Sequence, residues 1–146
     1  MEVGVSPEDA YSFLIDPRNL TGWWPRVVRV EFVEGRPGEN GLIWTSVVEA
    51  DSRRRLRLDY ELIEADRPER IVWEHRLEGT AFGAHLARQA TEIDLVPVDE
   101  GTRVAVTLTG ELRGAAKLAG PSLKSDQKKL LDGALRSLRA ELEGDE

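Results

Sequence analysis

Residues 122–146 read SLKSDQKKLLDGALRSLRAELEGDE, and the rest of the chain is organised around them. Leu123, Gln127, Leu130, Leu131, Ala134, Leu135, Leu138 and Leu142 recur at three- and four-residue spacing, which makes one apolar stripe on a 3.6-residue period. Lys128, Lys129, Asp132, Arg136, Arg139 and Glu143 fall on the other side. The spacing predicts one long amphipathic helix over about 115–143, with a face to bury and a face to wet. An isolated helix of this kind is only marginally stable in water, so it needs a cover. Gly120-Pro121 falls inside its first part, where a missing donor and a ring clash call for a kink or break.

Upstream, the period changes from helical to two. Val104, Val106, Leu108 and Leu112 alternate, and the turn-rich PVDEGTR joins them to a strand that carries His85, Ala87, Gln89, Thr91, Ile93 and Leu95 on one face. Before a glycine-bounded interruption at Gly79–Gly83 lies a strand with Ile71, Trp73, His75 and Leu77 on one face. Leu56, Leu58, Tyr60 and Leu62 alternate cleanly with Arg57, Asp59 and Glu61. Trp44 shares a face with Leu42, Ser46 and Val48, and Val28, Val30 and Phe32 alternate with Arg29 and Glu31. Short connections between these strands favour antiparallel neighbours. Near the N-terminus a short strand at 1–5 is followed by two short helices. Ser6 caps the first of these, Pro7 fits its first position, and Asp16-Pro17 stops it. The class is therefore α+β, a curved antiparallel sheet of six to seven strands wrapped round the terminal helix, in a single domain spanning 1–146.

Composition narrows the function. Zero cysteines exclude disulfides and thiolate chemistry, and two histidines make a histidine-rich metal site improbable; no cofactor is implied. A net charge of -7 disfavours general affinity for nucleic acid or anionic lipid. No apolar run approaches the ~20 residues of a membrane span and no signal peptide is visible, so a cytoplasmic location is expected, with no integral membrane association. A homodimer is compatible with the sequence.

PEDAYSFLIDPRNLTGWWP (7–25), GRPGENGLIW (35–44), RIVWEH (70–75), PVDEGTRVAVTL (97–108) and the leucine-rich helix after Gly-Pro together resemble the START-like, Bet v 1-like (SRPBCC) superfamily, and most closely its bacterial polyketide cyclase/dehydrase-type branch. The resemblance covers nearly the whole chain. It implies a helix-grip fold and a cavity between sheet and helix that takes a hydrophobic small molecule such as a lipid, sterol, polyketide or quinone. Some members of the superfamily catalyse cyclisation or dehydration there, and others carry or sense ligands.

Several side chains are candidates for such a site. His75 and His85 titrate near neutrality without perturbation and fall on inward faces, so either suits proton transfer. His75 is the stronger candidate, flanked by Trp73 and Leu77, and the bland alternative is a histidine hydrogen-bonded in the core. Tyr60, Gln89 and Thr91 are polar groups on apolar faces, where burial is costly unless a partner or a ligand satisfies them. Trp24, Trp44 and Trp73 suit aromatic walls or ordinary core, and Phe82, in its glycine-bounded loop, suits a gate. Leu131 and Leu135 would face the cavity from the helix. Arg53-Arg54-Arg55 with Arg57 reads as a solvated turn, Gly79–Gly83 matches no phosphate-cradling loop, and alternation leaves Asp59, Glu61, Glu74, Glu92 and Asp94 on wet faces. The leading expectation is binding of a hydrophobic small molecule. The alternatives are a cofactor-independent cyclase or dehydratase using His75, and a protein-interaction module.

Overall fold

The structure, a computed structural model, describes residues 1–51, 53–76, 86–112 and 120–144. The Gly79–Gly83 interruption, Phe82 and His85 lie outside the described residues. The described strands β1 (Glu2–Val3), β2 (Val27–Glu34), β3 (Ile43–Asp51), β4 (Arg54–Asp66), β5 (Arg70–His75), β6 (Leu86–Val98) and β7 (Gly101–Leu112) form one antiparallel sheet. Its order is β1-β7-β6-β5-β4-β3-β2. Helix α1 (Pro7–Leu14), a 3-10 turn (Pro17–Asn19) and α2 (Leu20–Trp23) separate β1 from β2, and α3 (Gly120–Glu143) lies over the sheet's inner face in a helix-grip arrangement.

Local chemistry explains the boundaries. The Ser6 hydroxyl accepts from the Asp9 amide at 3.2 Å, which caps α1. Asp16 Oδ1 accepts from the Arg18 amide at 3.0 Å and opens the 3-10 turn. Val98 pairs with Gly101 across a two-residue turn, and a side chain at Gly101 would run into the Val3 carbonyl, so glycine lets β1 lie against β7. The Met1 carbonyl accepts from the Val104 amide at 2.7 Å, and the N-terminal amine donates back to the Val104 carbonyl at 3.0 Å.

One feature differs from the expectation. Period two places Val28, Val30 and Phe32 together, but β2 carries register shifts between Val27 and Arg29 and between Glu31 and Glu34. Each bulge inserts an unpaired residue, so the inward set becomes Val27, Val30 and Val33, while Val28 is 40% and Phe32 71% exposed. Arg26 and Phe32 take positive φ, of 66° and 52°, where the chain turns into β2 and where its second bulge falls. The described run of α3 begins at Gly120, and the stretch before it, where the expected helix and its kink or break at Gly120-Pro121 would be judged, lies outside the described residues.

One end of the sheet–helix interface is solid. Ala134 and Leu138 of α3 are fully buried in a cluster with Tyr11 and Leu14 of α1, Leu20, Trp23, Ile71, Ile93, Leu95 and Val104. On the outer face Arg70 reaches Asp94 at 2.7 Å, Glu64 at 3.2 Å and Glu92 at 3.4 Å, tying β4, β5 and β6 together. No helix among the described residues is long and apolar enough to cross a membrane.

Candidate functional site

Toward the other end, the same sheet and helix part around a cavity of about 390 Å³. Its floor comes from inward positions of consecutive strands: Trp44, Ser46 and Val48 on β3, Leu56, Leu58 and Tyr60 on β4, Trp73 on β5, Gln89 and Thr91 on β6, and Leu108 on β7. Leu20, Trp24 and Val27 close one side, Leu130 of α3 lies across it, and the exposed Arg26 and Glu49 stand at its rim beside Pro25.

Strand register lines up the aromatics. Trp44 pairs with Tyr60, and Tyr60 with His75, as direct cross-strand partners. Their rings stack in turn, with centroids 5.8 Å apart for Trp44–Tyr60 and 5.0 Å for Tyr60–His75. Trp73 meets Trp44 edge-on at 5.9 Å and Trp24 at 6.2 Å, and Trp24 meets the buried Trp23 at 5.2 Å. Each such pair contributes about 0.5–1.5 kcal/mol beyond its buried area, so the chain of rings braces the wall from α2 to β5. The adjacent tryptophans divide the work, since Trp23 is core and Trp24 is wall.

Polar groups are few. Burial pushes the Tyr60 hydroxyl up to about 12, so it stays protonated through the physiological range. His75 is buried behind Tyr60, with Nδ1 3.3 Å from Gln89 Oε1. Burial lowers its pKa below the ordinary 6.5, against the opposing effects of the Gln89 bond and the Asp59 charge. The side chain is therefore neutral at pH 7. On the sheet's outer face Asp59 accepts from the Thr45 hydroxyl at 2.6 Å. The indole N–H groups of Trp23 and Trp44 are buried without an acceptor among the described residues. Among the described residues no group of three or more His, Asp or Glu side chains is arranged to hold a metal ion.

Of the residues singled out from sequence, Trp24, Trp44, Tyr60, Trp73, Gln89 and Thr91 line this cavity together. His75 is not among the described residues that line it, and touches Tyr60 and Gln89, which do. Leu131 and Leu135 are half-buried, and the helix presents Leu130 to the cavity instead. Phe82 and His85 lie outside the described residues. Sequence reasoning passed over Ser46, Leu108, Leu130 and the rim residues Arg26 and Glu49. Ser46 carried a usable signal, a hydroxyl on the strand face of Trp44; the rim residues carried none.

Comparison with known proteins places this geometry. A family model described as polyketide cyclase / dehydrase and lipid transport matches residues 1–143. A solved structure from Thermus thermophilus is 27% identical over 99% of this chain and 91% of its own, with a TM-score of 0.67. A START superfamily protein from Mycobacterium smegmatis is 19% identical over 99% and 94%, with a TM-score of 0.76. The Zhui aromatase/cyclase of a Streptomyces species is 15% identical over 98% and 90%, with a TM-score of 0.75. No curated protein matches the chain.

Proposed function

The chain belongs to the polyketide cyclase / dehydrase and lipid transport family, and from that premise we propose that it binds a compact, flat, predominantly apolar compound between its sheet and α3. The observation that carries this reading is the hollow itself: about 390 Å³ held open by a braced aromatic wall, within the ~300–1,000 Å³ of small-molecule sites. Three tryptophans and leucines from β4, β7 and α3 supply apolar area, at about 25 cal/mol per Å² buried before the costs of ordering a ligand. Ser46, Tyr60, Gln89 and Thr91 supply the few polar groups that set orientation. The volume, at the lower end of that range, favours a ring system over an extended two-chain lipid.

Mass spectrometry on gently extracted protein, followed by dye displacement with lipids and polycyclic aromatics, tests this. A stoichiometric apolar compound, or saturable displacement by flat polycycles, is expected. Failure of every apolar compound to bind would reject the reading.

A second reading is favoured by one observation, the neutral histidine bonded to a cavity-lining amide. A cofactor-independent cyclase or dehydratase would use His75 as its proton-transfer group, acting on substrate through movement of Gln89 or Tyr60. His75→Ala should then abolish turnover of a reactive polyketone while binding persists; retained turnover would reject that assignment.

A further inference from the structure

We propose that His75 is a positioning residue for Gln89, fixing its amide so that the NH₂ group is the part left for a ligand, and that the cavity thereby selects flat compounds with a hydrogen-bond acceptor on their edge. The inference rests on the reading of the cavity as a ligand site and adds the polarity of what fits there.

An amide oxygen only accepts, so the 3.3 Å contact between His75 Nδ1 and Gln89 Oε1 requires the hydrogen on Nδ1. The imidazole cannot readily turn to offer its other nitrogen, because its ring is buried and stacked on Tyr60, which is stacked in turn on Trp44. Rotating the Gln89 amide by half a turn would set its NH₂ against the Nδ1 hydrogen, donor facing donor, and relieving that clash would require the imidazole hydrogen to move to Nε2 as well. In the observed arrangement the oxygen is engaged by the histidine, and the NH₂, which only donates, remains for the cavity that Gln89 lines. Protonating His75 enforces this arrangement, since both ring nitrogens of the imidazolium donate. Of the other polar side chains lining the cavity, Arg26 and Glu49 stand at its exposed rim, while Ser46, Tyr60 and Thr91 further in carry hydroxyls that serve as donor or acceptor on demand. Among these inner amide and hydroxyl groups Gln89 is thus the one whose polarity is preset, and it favours a ring carbonyl over a ring N–H or O–H at the same place. A site built around one hydrogen-bonding sense discriminates against the wrong one because a buried group is left unpaired.

Three compounds of nearly the same outline test this on the full chain: fluorenone offers an acceptor, carbazole a donor and fluorene neither. Dissociation constants come from quenching of tryptophan fluorescence. Fluorenone should bind about three- to tenfold more tightly than fluorene, and carbazole no better than fluorene. Gln89→Glu, which replaces the NH₂ by a second oxygen, should erase the advantage of fluorenone. His75→Phe keeps a stackable ring but frees the amide, and should reduce the advantage. His75→Asn places an N–H donor near the position of Nδ1 and should restore it, a rescue that a purely structural role would not produce. If His75→Phe fails to fold, the wild-type order and Gln89→Glu carry the test. Equal binding of fluorene and fluorenone, or a fluorenone preference untouched by Gln89→Glu, overturns the assignment while leaving the cavity a ligand site. Binding of none of the three overturns both.

Discussion

Follow β5, β6, β7 and α3 from one end to the other and the interface changes character. At Ile71, Ile93 and Val104 the inner face is sealed in one cluster with α1 and with Ala134 and Leu138 of α3. A few residues along the same elements, Trp73, Thr91, Gln89 and Leu108 face a hollow crossed by Leu130. At the solid end small and aliphatic side chains fill the space around Tyr11 and Trp23. Ala134 brings no bulk, and the α3 surface comes so close to α2 that a side chain at Gly22 would press on Glu141. At the hollow end, wide rigid rings brace one another through edge and face contacts, and polar groups discourage collapse because packing them against hydrocarbon is costly. A fold can thus hold a cavity open without extra elements by changing which residues occupy equivalent inward positions.

That contrast can be broken by truncation. Leu138→Ala at the solid end should cost about 2–5 kcal/mol, and Leu130→Ala at the hollow under about 1 kcal/mol, as read from denaturant midpoints. Equal costs would mean that the two ends are packed alike. Enlargement sharpens the same point on a single strand. Val104→Trp should destabilise by at least about 1–3 kcal/mol, whereas Leu108→Trp, four residues on, should leave stability within about 1 kcal/mol and weaken binding of flat polycycles at least about tenfold. A Leu108→Trp variant that binds as before would place the ligand elsewhere. Within the wall, Tyr60→Leu removes the ring between Trp44 and His75 and should cost about 1–3 kcal/mol by thermal unfolding.

The smallest effect is a pH dependence. Burial lowers the folded-state pKa of His75, so the unfolded chain takes up this proton first as pH falls. Its contribution is nil above the ordinary value of 6.5, turns destabilising as pH drops through that value, and becomes constant below the folded pKa. Denaturant midpoints of wild type and His75→Asn, compared across this window, should show the wild type losing stability more steeply. Parallel curves would contradict the neutral, buried histidine.

Much of this architecture is written in periodicity. The alternation of Leu56, Leu58, Tyr60 and Leu62, and of Gln89, Thr91, Ile93 and Leu95, gives the inner face directly, because a strand's side chains have no other choice. The alternation fails at β2, since a bulge costs a register step and leaves no mark in the residues Val28 to Val33. It also cannot say where along a face the hollow stops. Trp73 and His75 share a face two residues apart, yet one lines the cavity and the other stands behind Tyr60, a difference set by the rings' reach. The broad stripe of α3 likewise leaves its rotation open. Leu130, Leu131, Leu135 and Leu142 all belong to it, and docking against α2 and the sheet turns Leu130 toward the cavity.

The most direct test of the account is to record the indole N–H resonances while a flat polycyclic ketone is titrated into the full chain. Saturable shifts of Trp24, Trp44 and Trp73, with Trp23 moving least and all four silent in Leu108→Trp, are the predicted result. Indole signals that stay fixed at saturating ligand, or shifts that survive Leu108→Trp unchanged, would contradict it.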